Sequence, residues 1–164
     1  MGTWVKVAWL LVGLWVNTAS FAQQVSDTST TDRAHPIWLN AGMYSLHFDT
    51  DQGFRNNNTG FGAEVSLNED WSATAGRFIN SDNAQSNYVG AYYQPWHVGQ
   101  WKAGVVGGGF NGYPRMLDGG WFPALLPVVT LEGERLGVNL LLVPPLKDRL
   151  YGALSVQLKL RIGP

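Results

Sequence analysis

Cysteine is absent from the 164 residues, so no disulfide staples the chain and no thiolate chemistry is open to it. Charge is scarce. Asp, Glu, Lys and Arg together make up 14%, against about a quarter in an ordinary soluble domain. A net charge of −1 offers no grip on a phosphate backbone and excludes an electrostatic nucleic-acid binder. The 3 histidines stand without clustered carboxylates, so no metal ligand set is expected. No segment after the first residues carries the periodicity of an amphipathic helix.

Long apolar runs are missing too. The longest, Val7 to Val16, falls short of the roughly 20 residues that a membrane-spanning helix needs. It follows Lys6 and precedes the small residues Ser20 and Ala22, the layout of a secretory signal peptide over 1–22, cut after Ala22. Residues 23–34 are polar and read as a flexible segment. Residues 35–164 then form a single domain by size.

What the chain does have is glycine, 20 residues, and tryptophan, 8 residues. Few charges with many aromatics imply that part of the surface meets a solvent other than water. Eight extended segments follow one another: 37–48, 60–67, 71–79, 87–94, 100–109, 121–131, 138–143 and 151–162. The second places Phe61, Ala63, Val65 and Leu67 on one face and Gly62, Glu64 and Ser66 on the other. The last is clearest: Leu154, Val156, Leu158, Leu160 and Ile162 point one way, Ser155, Gln157, Lys159 and Arg161 the other. An alternating strand with cations on its hidden side suits a barrel with a polar lumen. The expected fold is an all-β, eight-stranded antiparallel up-and-down outer-membrane barrel, closed so that no edge is left. Turns at 68–70, 95–99 and 132–137 lie at one end and loops at 49–59, 80–86, 110–120 and 144–150 at the other. Trp38, Trp71, Trp96 and Trp101 gather at the short-turn end as an aromatic girdle.

Chemistry is expected at the loop end. His47 closes the first strand there and Ser81 opens the loop after the third. A serine hydroxyl needs a base such as imidazole to take its proton, and the base needs a polar neighbour, Asn80 or Asp82, to orient it. The first and third strands are not neighbours, so roughly 10 Å separates their axes at about 4.8 Å per strand. Parity adds a condition: Asn40 and Gly42 place even residues of the first strand in the lumen, which turns His47 outward unless a bulge intervenes. His35 and His97 read as solvated bystanders.

His47, a strand ending Phe78-Ile79-Asn80-Ser81-Asp82, the run YVGAYYQPW, the run WFPALLPVV and the Pro144-Pro145 pair together resemble the lipid A palmitoyltransferase (PagP) family over most of residues 43–162. The resemblance implies an outer-membrane barrel that moves an acyl chain from a phospholipid donor to lipid A, as a monomer and without a cofactor. His47 and Ser81 match the family's catalytic histidine and serine; Asn80 stands where the family has aspartate. It also implies that Pro123, Pro127, Pro144 and Pro145, which remove ladder donors, weaken pairing between the sixth and seventh strands so that lipid enters sideways. Tyr92 falls near the lumen floor that sets acyl-chain length, implying a chain shorter than palmitate. Pro127, Pro144 and Tyr92 are thus the candidate substrate-binding residues. Two other readings share the architecture: a non-enzymatic outer-membrane barrel, structural or ligand-binding, and a soluble periplasmic lipid-binding barrel.

Overall fold

The computed structural model describes residues 35–146 and 150–163. The expected signal peptide and the segment 23–34 lie outside the described residues. Eight strands follow in chain order: β1 (Ile37–His47), β2 (Asn57–Ser66), β3 (Trp71–Ile79), β4 (Gln85–Val98), β5 (Trp101–Phe110), β6 (Phe122–Glu132), β7 (Leu136–Val143) and β8 (Ala153–Arg161). Each pairs antiparallel with its sequence neighbours, and β1 closes on β8. The fold is the eight-stranded antiparallel barrel that the alternation implies.

Side-chain parity is inside-out relative to a water-soluble domain. Glu64 and Lys159 are 1% and 2% exposed, while Phe61 is 68% exposed. Leu154, Leu158, Leu160 and Ile162 all face outward, and Ser155, Gln157 and Lys159 are buried. One end of the barrel, its base, carries exposed Trp71, Tyr93, Trp96 and Trp101. Trp71 and Tyr93 pack with ring centroids 4.6 Å apart. Trp38 is not part of this girdle. It is buried because even residues at the start of β1 face the lumen, and Lys159 Nζ lies 4.8 Å from its ring centroid.

Strand limits move at several ends: β4 begins at Gln85 and β8 at Ala153, two residues from where each was expected. β4 runs on through Pro95 to Val98, where a turn was expected over 95–99; a register shift between Tyr93 and Trp96 absorbs the proline, which cannot donate to a regular ladder. The turn itself is the pair Gly99-Gln100. β2 begins at Asn57, because residues typical of turns pair there with Met43 and Tyr44. β7 begins at Leu136, where Leu136 pairs with Leu160 across the seam to β8.

Below the barrel's middle the lumen is filled by polar groups that largely satisfy one another, with Asn40 Oδ1 and Trp38 Nε1 left without a partner among the described residues. Lys159 Nζ reaches Glu64 at 3.0 Å and Glu132 at 2.7 Å, and Lys102 reaches Glu132 at 2.8 Å. Thr130 donates to Asn139 and accepts from Gln94, both at 2.8 Å. Burying a charge is costly unless it is paired and hydrogen-bonded; here both lysines are paired. Above this plug the interior turns apolar, with Tyr92, Val106, Leu126, Val128 and Leu141 packed together and Met43 and Val143 against them.

The cylinder is weakest between β6 and β7. β6 pairs with β5 along ten residues but with β7 along only five, from Glu132 up to Val128. Pro123 and Pro127 are four residues apart and share parity, so both missing N–H groups point to the same neighbour. The β5 ladder passes through both without a break. The missing donors therefore face β7, and the upper half of that seam is unpaired.

Candidate functional site

The site lies at the mouth, opposite the tryptophan girdle. Its first requirement is that His47 point inward, and a bulge on β1 provides this. Register shifts between Ala41 and Met43 against β2, and between Asn40 and Met43 against β8. Gly42 permits it: a Cβ there would lie 2.2 Å from the Asn58 carbonyl oxygen. Below the bulge Trp38 and Asn40 face the lumen; above it Met43, Ser45 and His47 do.

The second requirement is to bridge β1 and β3, and the loops do so. The Arg55 amide, in the β1–β2 loop, donates to the Ser81 carbonyl at 3.1 Å, and the Ser45 amide donates to Asn56 O at 2.9 Å. His47 and Ser81 thus line one pocket together with Phe54, Asp82, Tyr113, Arg115, Leu150 and Tyr151. His47 Nδ1 lies 2.9 Å from Asn56 Oδ1. With that oxygen accepting, Nδ1 carries the proton and Nε2 is the free base. Phe54 packs against both His47 and Tyr151, with centroids 5.0 and 4.6 Å apart. The Arg115 guanidinium lies 5.2 Å from the Tyr151 ring centroid. Burial, and then the charge of Asp82, push the Tyr113 phenol well up, so it stays neutral in the pocket that Ser81 also lines.

Asn80 has a different place from the one expected. It is fully buried and does not orient His47. Its Nδ2 donates to Ser86 Oγ at 3.0 Å and to Gly112 O at 2.8 Å, while its Oδ1 accepts from the Asp82 and Ala84 amides, both at 3.0 Å. Asn80 therefore shapes the loop that presents Ser81 and ties it to the β5–β6 loop. Gly112 meets it with φ +83, a backbone angle that a side chain would strain.

Beneath His47 and Ser81 lies a well of about 70 Å³ lined by Met43, Phe78, Phe110, Leu126, Leu141 and Val143, among others. Tyr92 is buried at its foot, where a smaller apolar recess meets Gln157. The Tyr92 hydroxyl accepts from Asn139 Nδ2 at 3.3 Å, joining the floor to the polar plug. Pro127 and Pro144 do not line the well. Pro127 faces outward on the open seam and Pro144 is exposed just beyond β7; Leu126 and Val143, their chain neighbours, are the lining residues. As for metals, Asp82 is the carboxylate in the His47 pocket, and among the described residues no three His, Asp or Glu side chains stand together.

Asn56, Tyr113 and Tyr151 escaped the sequence reading. Asn56 sits in the run Asn56-Asn57-Asn58, where three successive asparagines read as turn formers. Tyr113 sits in an irregular loop that no periodicity can orient, and Tyr151, expected to open the eighth strand, precedes β8, which begins at Ala153.

A scan of protein-family models and a search of curated proteins return no match to this chain. Solved structures do match. A protein described as "De novo design of transmembrane beta-barrels" is 11% identical, with a TM-score of 0.53 over 79% of this chain and 95% of that one. The designed barrel TMB2.3 is 15% identical, with a TM-score of 0.60 over 82% of this chain and 99% of that one. At these identities the likeness concerns the fold, a small eight-stranded barrel of the kind built to cross membranes.

Proposed function

We propose that this chain is an outer-membrane acyltransferase, a divergent relative of the lipid A palmitoyltransferases, moving a fatty acyl chain from a phospholipid to a lipid A-type acceptor. One observation carries the reading: His47 and Ser81 line a single well together with Leu126, Leu141 and Val143, which stand on the two strands whose seam is unpaired above Val128. An acyl ester needs a slot for its chain, a hydroxyl at its carbonyl and a base for that hydroxyl, and a well lined by Ser81 and His47 supports such a reading.

In the chemistry, His47 Nε2 takes the Ser81 proton as Oγ attacks the donor's ester carbonyl. The new C–O bond forms on serine, the old one breaks, and the lysophospholipid leaves with that proton. The acceptor hydroxyl then reverses the sequence, losing its proton to His47 and releasing Ser81. Asn56 holds the imidazole in the required tautomer, the part that an aspartate plays in a charged triad. The Tyr113 hydroxyl is a donor for the oxyanion. The outward apolar band and the aromatic girdle support a bilayer setting over a soluble lipid-binding barrel, for which so much exposed leucine would invite association.

The test is a mass spectrum of lipid A from cells with and without the protein. An added acyl chain is expected with the native chain, and a rate lower by about a hundredfold or more in His47→Ala and Ser81→Ala. Unchanged acylation in both variants sinks the assignment, and no acylation by the native chain leaves a non-enzymatic barrel.

A further inference from the structure

The well has two unlike walls. Phe78, Phe110, Leu126, Leu141 and Val143 make one side. Across from them, where β1 meets β2 and β8, three buried polar side chains face the same space: Ser45, Asn58 and Ser155. Ser45 sits opposite Ser155 and Met43 opposite Asn58 in the strand register. Their hydroxyls lie 2.8 Å apart, and Asn58 Nδ2 donates to Ser45 Oγ at 2.9 Å. Asn58 Oδ1 is buried and accepts no hydrogen bond from the described residues. A buried carbonyl left in that state is costly. The trio has no part in the transfer chemistry above and no charge to pair. Exchanging the oxygen and nitrogen of the amide only changes the spare atom from an acceptor to a donor.

We infer that Asn58, Ser45 and Ser155 form a hydroxyl-recognition subsite, and that the well takes an acyl chain bearing a hydroxyl group near its carboxyl end. A hydroxyl both donates and accepts, so it satisfies the spare atom of Asn58 in either orientation. Height on the barrel wall selects the position. Ser45 is two residues below His47 on β1, which is about 5 Å along the barrel axis for a strand at the usual tilt. For a carbonyl level with His47, that is about the fifth carbon of an extended chain. The apolar wall opposite receives the methylenes, and Tyr92 stops the chain.

This inference rests on reading the well as an acyl site, but its test needs no turnover. Purified protein in phosphatidylcholine vesicles is titrated with 5-hydroxydecanoate and with decanoate, and binding of each is measured calorimetrically. The native chain is expected to hold the hydroxylated acid about three- to tenfold more tightly, the worth of one satisfied hydrogen bond. Asn58→Leu, and separately Ser45→Ala with Ser155→Ala, are expected to erase that ratio while still binding decanoate. Equal affinities in the native chain, or binding of neither acid, overturn the inference, as does a preference that survives in both variants. Acyl transfer without hydroxyl preference would refute this subsite alone, and hydroxyl preference without transfer would refute the enzyme alone.

Discussion

An aspartate at position 80 would keep the two acceptor roles of Asn80 and lose both of its donor roles. Gly112 O would lose its donor while the Ser86 hydroxyl would have to turn and donate instead, and a carboxylate would be left without a counter-charge in a fully buried position. Asn80→Asp is therefore expected to destabilise the mouth by about 1–3 kcal/mol per orphaned group and to lower acyl transfer. Heat resistance of the barrel in detergent, with the lipid A spectrum as second readout, checks this; a gain in activity would mean that charge, not loop shape, is what position 80 supplies. The same residue marks a boundary of what sequence conveys. A strand's parity can be read from its own alternation, as for Glu64 and Lys159, but a loop side chain's partners depend on which loops meet. That Asn80 bonds to Gly112, 32 positions away, and that Asn56 rather than Asn80 reaches His47, are facts of tertiary contact with no local signature.

Strands were legible wherever polar and apolar residues alternate cleanly, as in β2 and β8, and less so where glycine or proline interrupts. The β1 bulge was legible only as a condition: His47 can serve the lumen if one residue is inserted, and Gly42 is where the insertion falls. The proline effect on β6 was readable because a missing N–H is a property of the residue itself. It also makes a prediction at this scale. Pro123→Val with Pro127→Val restores two donors aimed at β7 and places β-branched side chains on the outward face, where both prolines already point. The longer ladder is expected to raise the barrel's unfolding temperature by a few degrees. It is also expected to lower acyl transfer tenfold or more. Higher stability with undiminished transfer would show that the chain enters by another route.

Taken whole, the barrel is divided by polarity into an apolar upper well and a lower plug tied by ions. Replacing Lys159 by Met leaves Glu64 without its cation inside the cylinder, while Glu132 keeps Lys102. That substitution is expected to cost about 3–5 kcal/mol, and adding Glu64→Gln should recover most of it. Urea unfolding of the three proteins in lipid vesicles measures both effects; a lone Lys159→Met chain as stable as the parent would mean that Glu64 is not held as a charge. Tight closure below has a consequence for traffic. A vessel shut at the bottom can be filled and emptied only through its upper half, at the mouth or at the unpaired β6–β7 seam, so on the proposed function a spent chain must leave by the part of the wall that admits the next. Nothing held in the well can drop through to the far end of the barrel.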